Sequence, residues 1–267
     1  MQIGLDASAE IMSIYLRVLA LFSLALNLLF AGVGAIFVAH RGGISYLKEQ
    51  LRGSAPDAQG EKYFNERRSI FEAMPPRPGA IVFLGDSLTE RCPWNELLQR
   101  GDVIARGIGG QDLDGVLKNV SEVARHKPAK IFIMAGTNDI VEGKTNQQIV
   151  NRYRTLLNNL KRQSPRTVIV VQSIFPMGIA NFSQDPANLA LQETRSANQN
   201  IAAINKQLRR MTDGKTVIYC DVAGAVKHGG QLNPKLTSDG LHLNAKGYLK
   251  WKQVLLPLLG ATPNRKK

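Results

Sequence analysis

A parallel α/β fold is predicted by three features of the sequence: five short apolar runs, longer amphipathic stretches between them, and glycine-bearing polar motifs directly after several of the runs. Strands that alternate with helices pair in parallel, because each crossover helix returns the chain to the same end of the sheet. The runs lie at 81–85, 103–106, 130–136, 167–173 and 216–221. Helices are expected at 94–100, 113–125, 146–163, 188–211 and 245–259, covering both sheet faces. An earlier helix, 61–73, is stopped by Pro75-Pro76, which cannot continue it. In open parallel sheets the reactive groups gather at the carboxyl ends of the strands, where these polar motifs fall.

The chain of 267 residues can bury a core of ordinary size. Its net charge of +13 arises after residue 40, since Arg17 is the only basic residue before that point and Asp6 and Glu10 are the only acids. Such a surface can steer anionic substrates, rest against an anionic membrane or simply keep the chain in solution. No helix-turn-helix, zinc-ligand or aromatic-basic signature accompanies the charge, so nucleic acid is not the expected partner. Cys92 and Cys220 are too few for a disulfide framework, and no Cys-x-x-Cys or His/Cys cluster suggests a metal. They read as two free thiols, with an isolated bridge left open.

Residues 18–39 form an uncharged apolar run of 22 residues, about 33 Å as a helix, which matches the hydrocarbon core of a bilayer. The run is too long and its start too acidic for a cleaved signal peptide. It is expected to be a single transmembrane helix after a short tail, 1–17, and before a juxtamembrane linker, 40–60. Arg41, Lys48 and Arg52 follow it and only Arg17 precedes it, which favours a cytoplasmic position for the domain that follows; long folded domains can be translocated regardless of charge, so the other side stays open. The folded domain is expected at 61–260, with a basic tail at 261–267.

Ser87 follows the first apolar run in Gly85-Asp86-Ser87-Leu88-Thr89-Glu90. A serine hydroxyl is a poor nucleophile at neutral pH and needs a histidine to take its proton and a carboxylate to orient that histidine. Of the four histidines, only His242 has a carboxylate within three residues, Asp239 in Asp239-Gly240-Leu241-His242. Alone, Gly-Asp-Ser also reads as a capped strand-to-helix turn. Two further motifs change that reading. Gly107-Ile108-Gly109-Gly110 permits close backbone approach and offers Gly109 N–H as an oxyanion donor, and its spacing lacks the pattern of a nucleotide loop. Asn138, in Gly136-Thr137-Asn138-Asp139, offers a neutral amide donor beside Ser87 N–H.

Taken as a set, these blocks resemble the GDSL or SGNH hydrolase family, whose motifs centre on Ser, Gly, Asn and His, here Ser87, Gly109, Asn138 and His242 in family order. The resemblance covers roughly 61–259. It implies a three-layer α/β/α, flavodoxin-like fold, a five-stranded parallel sheet in the order 2-1-3-4-5, and no metal or organic cofactor. Tyr63 to Arg68, Phe71-Glu72, Arg106 to Gly110 and Leu241 to Tyr248 are similar to the platelet-activating-factor acetylhydrolase-like branch. That branch includes esterases removing small acyl groups from lipids or sugars, so a lysophospholipid, an O-acetylated saccharide and an acyl thioester are the expected substrate classes. A membrane-tethered binding subunit without turnover is the reading from a different class. The run 18–39 and the stretch 181–198, a candidate lid or substrate wall, lie outside the family pattern.

Overall fold

The computed structural model describes residues 15, 17–19, 21–24, 26–27, 58–178 and 187–261. The sheet has five parallel strands, β1 (Ile81–Gly85), β2 (Val103–Gly107), β3 (Lys130–Met134), β4 (Val168–Gln172) and β5 (Val217–Cys220), in the spatial order β2-β1-β3-β4-β5. The strands read as near-continuous apolar runs because both faces are covered. Alternation decides which residue goes where. Val82, Leu84, Ile131, Ile133, Ile169 and Val171 pack on one side with residues of α4 (Leu113–Lys118), α5 (Val120–Arg125), α7 (Asn146–Gln163) and α8 (Ala187–Arg210). Ile81, Phe83, Phe132, Met134 and Val170 pack on the other with α3 (Trp94–Leu97) and α10 (Ala245–Leu259). The three-layer α/β/α expectation and the strand order are both found.

The helix ends follow local chemistry. Thr145 caps α7 with a reciprocal capping box to Gln148, and Asn244 caps α10 through Gly247 N–H. The single helix expected at 113–125 is instead two, α4 and α5, broken at Asn119. Asn119 is buried, and its Nδ2 donates to Gln111 Oε1 at 2.8 Å, a side-chain bond that holds the break in place. Short elements without a legible period complete the domain: α2 (Ser87–Glu90), α6 (Thr137–Val141), α9 (Ala223–Val226), and a two-stranded hairpin, β6 (Lys227–His228) with β7 (Gln231–Leu232). Ahead of the sheet, α1 (Ala58–Ala73) replaces the expected 61–73 with an earlier start.

Residues 1–61 and 62–267 form separate units. No helix among the described residues is long and apolar enough to cross a membrane. The span expected at 18–39 is described only at 18–19, 21–24 and 26–27, which are helical and exposed, and the remainder lies outside the described residues. A spanning helix is therefore not part of the described architecture. Residues 40–57 of the expected 40–60 linker, residues 262–267 of the tail and residues 181–186 of the 181–198 stretch also lie outside it, whereas residues 58–60 belong to α1 and 187–198 to α8.

Candidate active site

The chain leaves β1 at Gly85 and turns at once into α2, which puts Ser87 at the first helical position at the carboxyl edge of the sheet. The turn is pressed against its neighbours: a Cβ on Gly85 would collide with the Met134 carbonyl, and one on Gly107 with the backbone of Asp86 and Glu90. Glycine is required at both positions by this close approach. Two side chains of the aromatic core fasten the turn from below. Trp94 Nε1 donates to Thr89 O at 2.9 Å and the Tyr248 hydroxyl donates to Leu88 O at 2.9 Å. Trp94 stacks on Phe83 at 4.3 Å and meets Trp251 edge-on at 4.7 Å, so the nucleophile turn rests on a rigid platform.

Asp86 caps α2, its Oδ1 accepting Leu88 N–H at 3.0 Å, while Oδ2 has no partner among the described residues. Burial pushes its pKa up from 3.8 to about 7, against the opposing pull of Leu88 N–H. The native state then holds a proton that the unfolded chain releases, so stability present below about pH 4 is lost as pH rises through about 7. The shift corresponds to at most on the order of 4 kcal/mol. Asp86→Asn keeps the capping oxygen and is expected to flatten this slope. Urea midpoints of both proteins from pH 4 to pH 8 check it, and parallel profiles would assign the slope elsewhere.

Ser87 Oγ lies 2.9 Å from His242 Nε2, and His242 Nδ1 lies 2.7 Å from Asp239 Oδ2. The loop that carries the last two is held by its own hydrogen bonds. Asp239 Oδ1 accepts the N–H groups of Leu241 and His242 at 2.9 and 2.7 Å, and Thr237 Oγ1 donates to His242 O at 2.7 Å. Gly240, at φ +82°, supplies the left-handed residue the turn needs, and its carbonyl accepts Gly178 N–H at 2.7 Å. Partial burial raises the Asp239 pKa, but the bonds from the imidazole and from the two backbone N–H groups outweigh it and hold the carboxyl well below the usual range. Asp239 is therefore an anion at neutral pH.

The three expected oxyanion donors differ in what already holds them. Ser87 N–H has no partner among the described residues. Asn138 Nδ2 spends one hydrogen on Gln111 O at 2.7 Å and keeps the second. Gly109 N–H is already engaged, donating to Glu90 Oε2 at 2.8 Å. The free donor expected at Gly109 is thus corrected to an occupied one. Asp139 and Lys144 bind the surrounding loops together: Asp139 Oδ2 accepts Leu113 N–H at 2.9 Å and Oδ1 accepts Lys144 Nζ at 3.0 Å. Beneath Gly107, Arg106 pairs with buried Glu122 at 3.0 Å and lies over the Phe71 ring at 4.6 Å.

Sequence reasoning named Ser87, Asp239, His242 and Asn138 but passed over Glu90, Thr237 and Gln111. Glu90 stood in the quoted Gly-Asp-Ser-Leu-Thr-Glu block, three residues after Ser87, and one helical turn from a nucleophile was the available signal. The other histidines stand elsewhere: His126 is fully buried against Glu122, His228 is exposed on the hairpin, and His40 lies outside the described residues. Both cysteines are free and buried, and burial pushes their thiols up, Cys92 to about 12 and Cys220 to about 11, so neither is a nucleophile at neutral pH. No group of three or more candidate metal-ligating side chains occurs among the described residues. A separate cavity of about 620 Å³, between α8 and the β6–β7 hairpin, is lined by none of Ser87, Asp239 and His242.

A doubly wound parallel sheet carrying Ser, His and Asp in hydrogen-bonded series at its strand ends is the arrangement of a serine-dependent ester hydrolase. The GDSL-like Lipase/Acylhydrolase family model matches residues 83–250, and the chain belongs to that family. The isoamyl acetate-hydrolyzing esterase of Saccharomyces cerevisiae is 23% identical over 173 residues, covering 62% of this chain and 71% of the yeast protein. Among solved structures, a provisionally named platelet activating factor from Streptococcus pneumonia is 25% identical with a TM-score of 0.64, covering 80% of this chain and 99% of that one. A provisionally named acylhydrolase from Bacteroides fragilis is 21% identical with a TM-score of 0.61, covering 73% and 94%, and is similar in fold.

Proposed function

We propose that the enzyme hydrolyses carboxylic esters of small acyl groups through an acyl-enzyme on Ser87. The observation that carries this reading is the unbroken series Ser87 Oγ to His242 Nε2 at 2.9 Å and His242 Nδ1 to Asp239 Oδ2 at 2.7 Å. Ser87 attacks the ester carbonyl as His242 Nε2 takes its proton; Asp239 holds the imidazole with Nδ1 as donor and stabilises the cation that forms. The carbonyl oxygen becomes an oxyanion facing Ser87 N–H and Asn138 Nδ2. His242 then returns the proton to the leaving alcohol, and water cleaves the acyl-enzyme by the same proton path in reverse. Asn138→Ala is expected to fold and to lose about 10²–10³ in kcat, the usual cost of one side-chain oxyanion donor.

A small acyl group is favoured by the similarity to an enzyme named for acetate ester hydrolysis. Membrane tethering is supported by the uncharged run at 18–39, with the hydrolase domain on the cytoplasmic side by its flanking charges, and protease accessibility in sealed vesicles tests that placement. Attachment to a lipid surface also keeps a lysophospholipid among the candidate substrates, beside O-acetylated saccharides and acyl thioesters. An active-site fluorophosphonate is expected to label Ser87, and a panel of acetyl, butyryl and long-chain esters is expected to show the highest kcat/KM on the shorter acyl groups. Folded protein that neither takes the label nor turns over any ester would point instead to a binding subunit.

A further inference from the structure

Gly109 lies beside the nucleophile: a Cβ added to it would come 3.6 Å from Ser87 Cβ and 2.9 Å from Glu90 Oε2. Its N–H is held by Glu90 Oε2, while Glu90 Oε1 accepts the Tyr63 hydroxyl at 2.7 Å and lies 2.9 Å from Arg67 Nε. The Arg67 contact is an ion pair without the alignment of a hydrogen bond. Tyr63 and Arg67 belong to α1, which also lays Phe64 against Gly110 and Arg67 over the Phe71 ring at 5.0 Å. A carboxylate oxygen thus occupies one of the three donors expected to receive the substrate carbonyl.

A ligand oxygen can take Gly109 N–H only by displacing Glu90 Oε2. That need not free Glu90, because the terminal torsion of a glutamate is broad and Oε1 has its own partners on α1. The electrostatic cost then depends on the ligand. A neutral ester brings no net charge, and when its carbonyl becomes an oxyanion the serine proton stays within the site on His242, leaving the total unchanged. A carboxylate brings a full negative charge to a place where Glu90 is 20% exposed and poorly screened.

Resting on the reading of this site as an ester hydrolase, we propose that Glu90 is a specificity-determining residue: held at the Gly109 donor by Tyr63 and Arg67, it yields to neutral ester carbonyls and excludes carboxylates, including the acid product. The acid released by each turnover then leaves without occupying the oxyanion donors, and substrates carrying a carboxylate next to the ester are disfavoured.

The test uses the full chain labelled with ¹⁵N-glycine, following the Gly109 amide resonance during titration with acetate and with its neutral isostere acetamide. In the wild type, acetamide is expected to shift the resonance and acetate is not. In Glu90→Gln, acetate is expected to shift it as well and to inhibit ester hydrolysis on the order of tenfold more strongly, while the acetamide response persists. Equal acetate response in both proteins, or a wild type that binds acetate as readily as acetamide, would overturn the proposal, as would loss of the acetamide response in Glu90→Gln, which would make Glu90 a prop for the glycine loop. The titration requires no turnover. A chain that hydrolyses no ester but still discriminates between the two probes would therefore refute the esterase reading and leave this one standing.

Discussion

Ser87→Ala is expected to abolish ester turnover, lowering kcat by on the order of 10⁶, while the folded structure persists. The size follows from the lack of a substitute. Both thiols are buried with raised pKa values, and Ser87 Oγ is the hydroxyl that meets the His242 imidazole. Persistence of the fold follows from what Ser87 does not do. It is only partly buried, and the turn that presents it is held by Asp86, Trp94 and Tyr248, none of which bonds to its hydroxyl. Far-UV circular dichroism and the melting temperature should match the wild type, and fluorophosphonate labelling should vanish. Adding His242→Ala to Ser87→Ala should cost almost nothing further, since residues acting as one unit are not additive. Retained activity in Ser87→Ala would move the nucleophile elsewhere.

Asp239→Asn is expected to lower kcat by about 10⁴ with little change in KM. The geometry fixes how an asparagine would sit. The oxygen at the Oδ1 position must accept Leu241 N–H and His242 N–H, because those bonds hold the turn at Gly240. The amide nitrogen is then forced into the Oδ2 position, 2.7 Å from His242 Nδ1, where it donates. Nδ1 becomes an acceptor, the ring proton moves to Nε2, and the imidazole presents a donor to Ser87 where a base is needed. Imidazole ¹⁵N shifts should report the switched tautomer alongside the kinetic loss. A variant with wild-type tautomer and wild-type rate would show that Asp239 does not orient the base.

The sheet was legible because its strands are buried on both faces and read as uninterrupted apolar runs; α7 and α10 were legible to the residue because Thr145 and Asn244 cap them. What escaped has equally local reasons. Helices of four or five residues, such as α2 and α6, are too short to show a period, and the break at Asn119 depends on a hydrogen bond to Gln111 that no spacing rule encodes. The meeting of Ser87 with His242 could be anticipated because a serine nucleophile needs a histidine with an orienting carboxylate, and Asp239-Gly240-Leu241-His242 supplies both. The engagement of Gly109 could not, since it is set by Glu90 on one element and by Tyr63 and Arg67 on another, contacts between side chains far apart in sequence.

The Phe71 ring has a guanidinium over it from Arg67 and another from Arg106, which is itself paired to buried Glu122. The match to the family model begins at residue 83, twelve positions later. A version of the protein trimmed to that boundary would retain every residue of the proposed proton relay, yet it would strip the cover from Arg106 and remove both partners of Glu90 Oε1. The contacts that hold the rim of the proposed site accordingly reach beyond the matched stretch, into a helix that lies ahead of it.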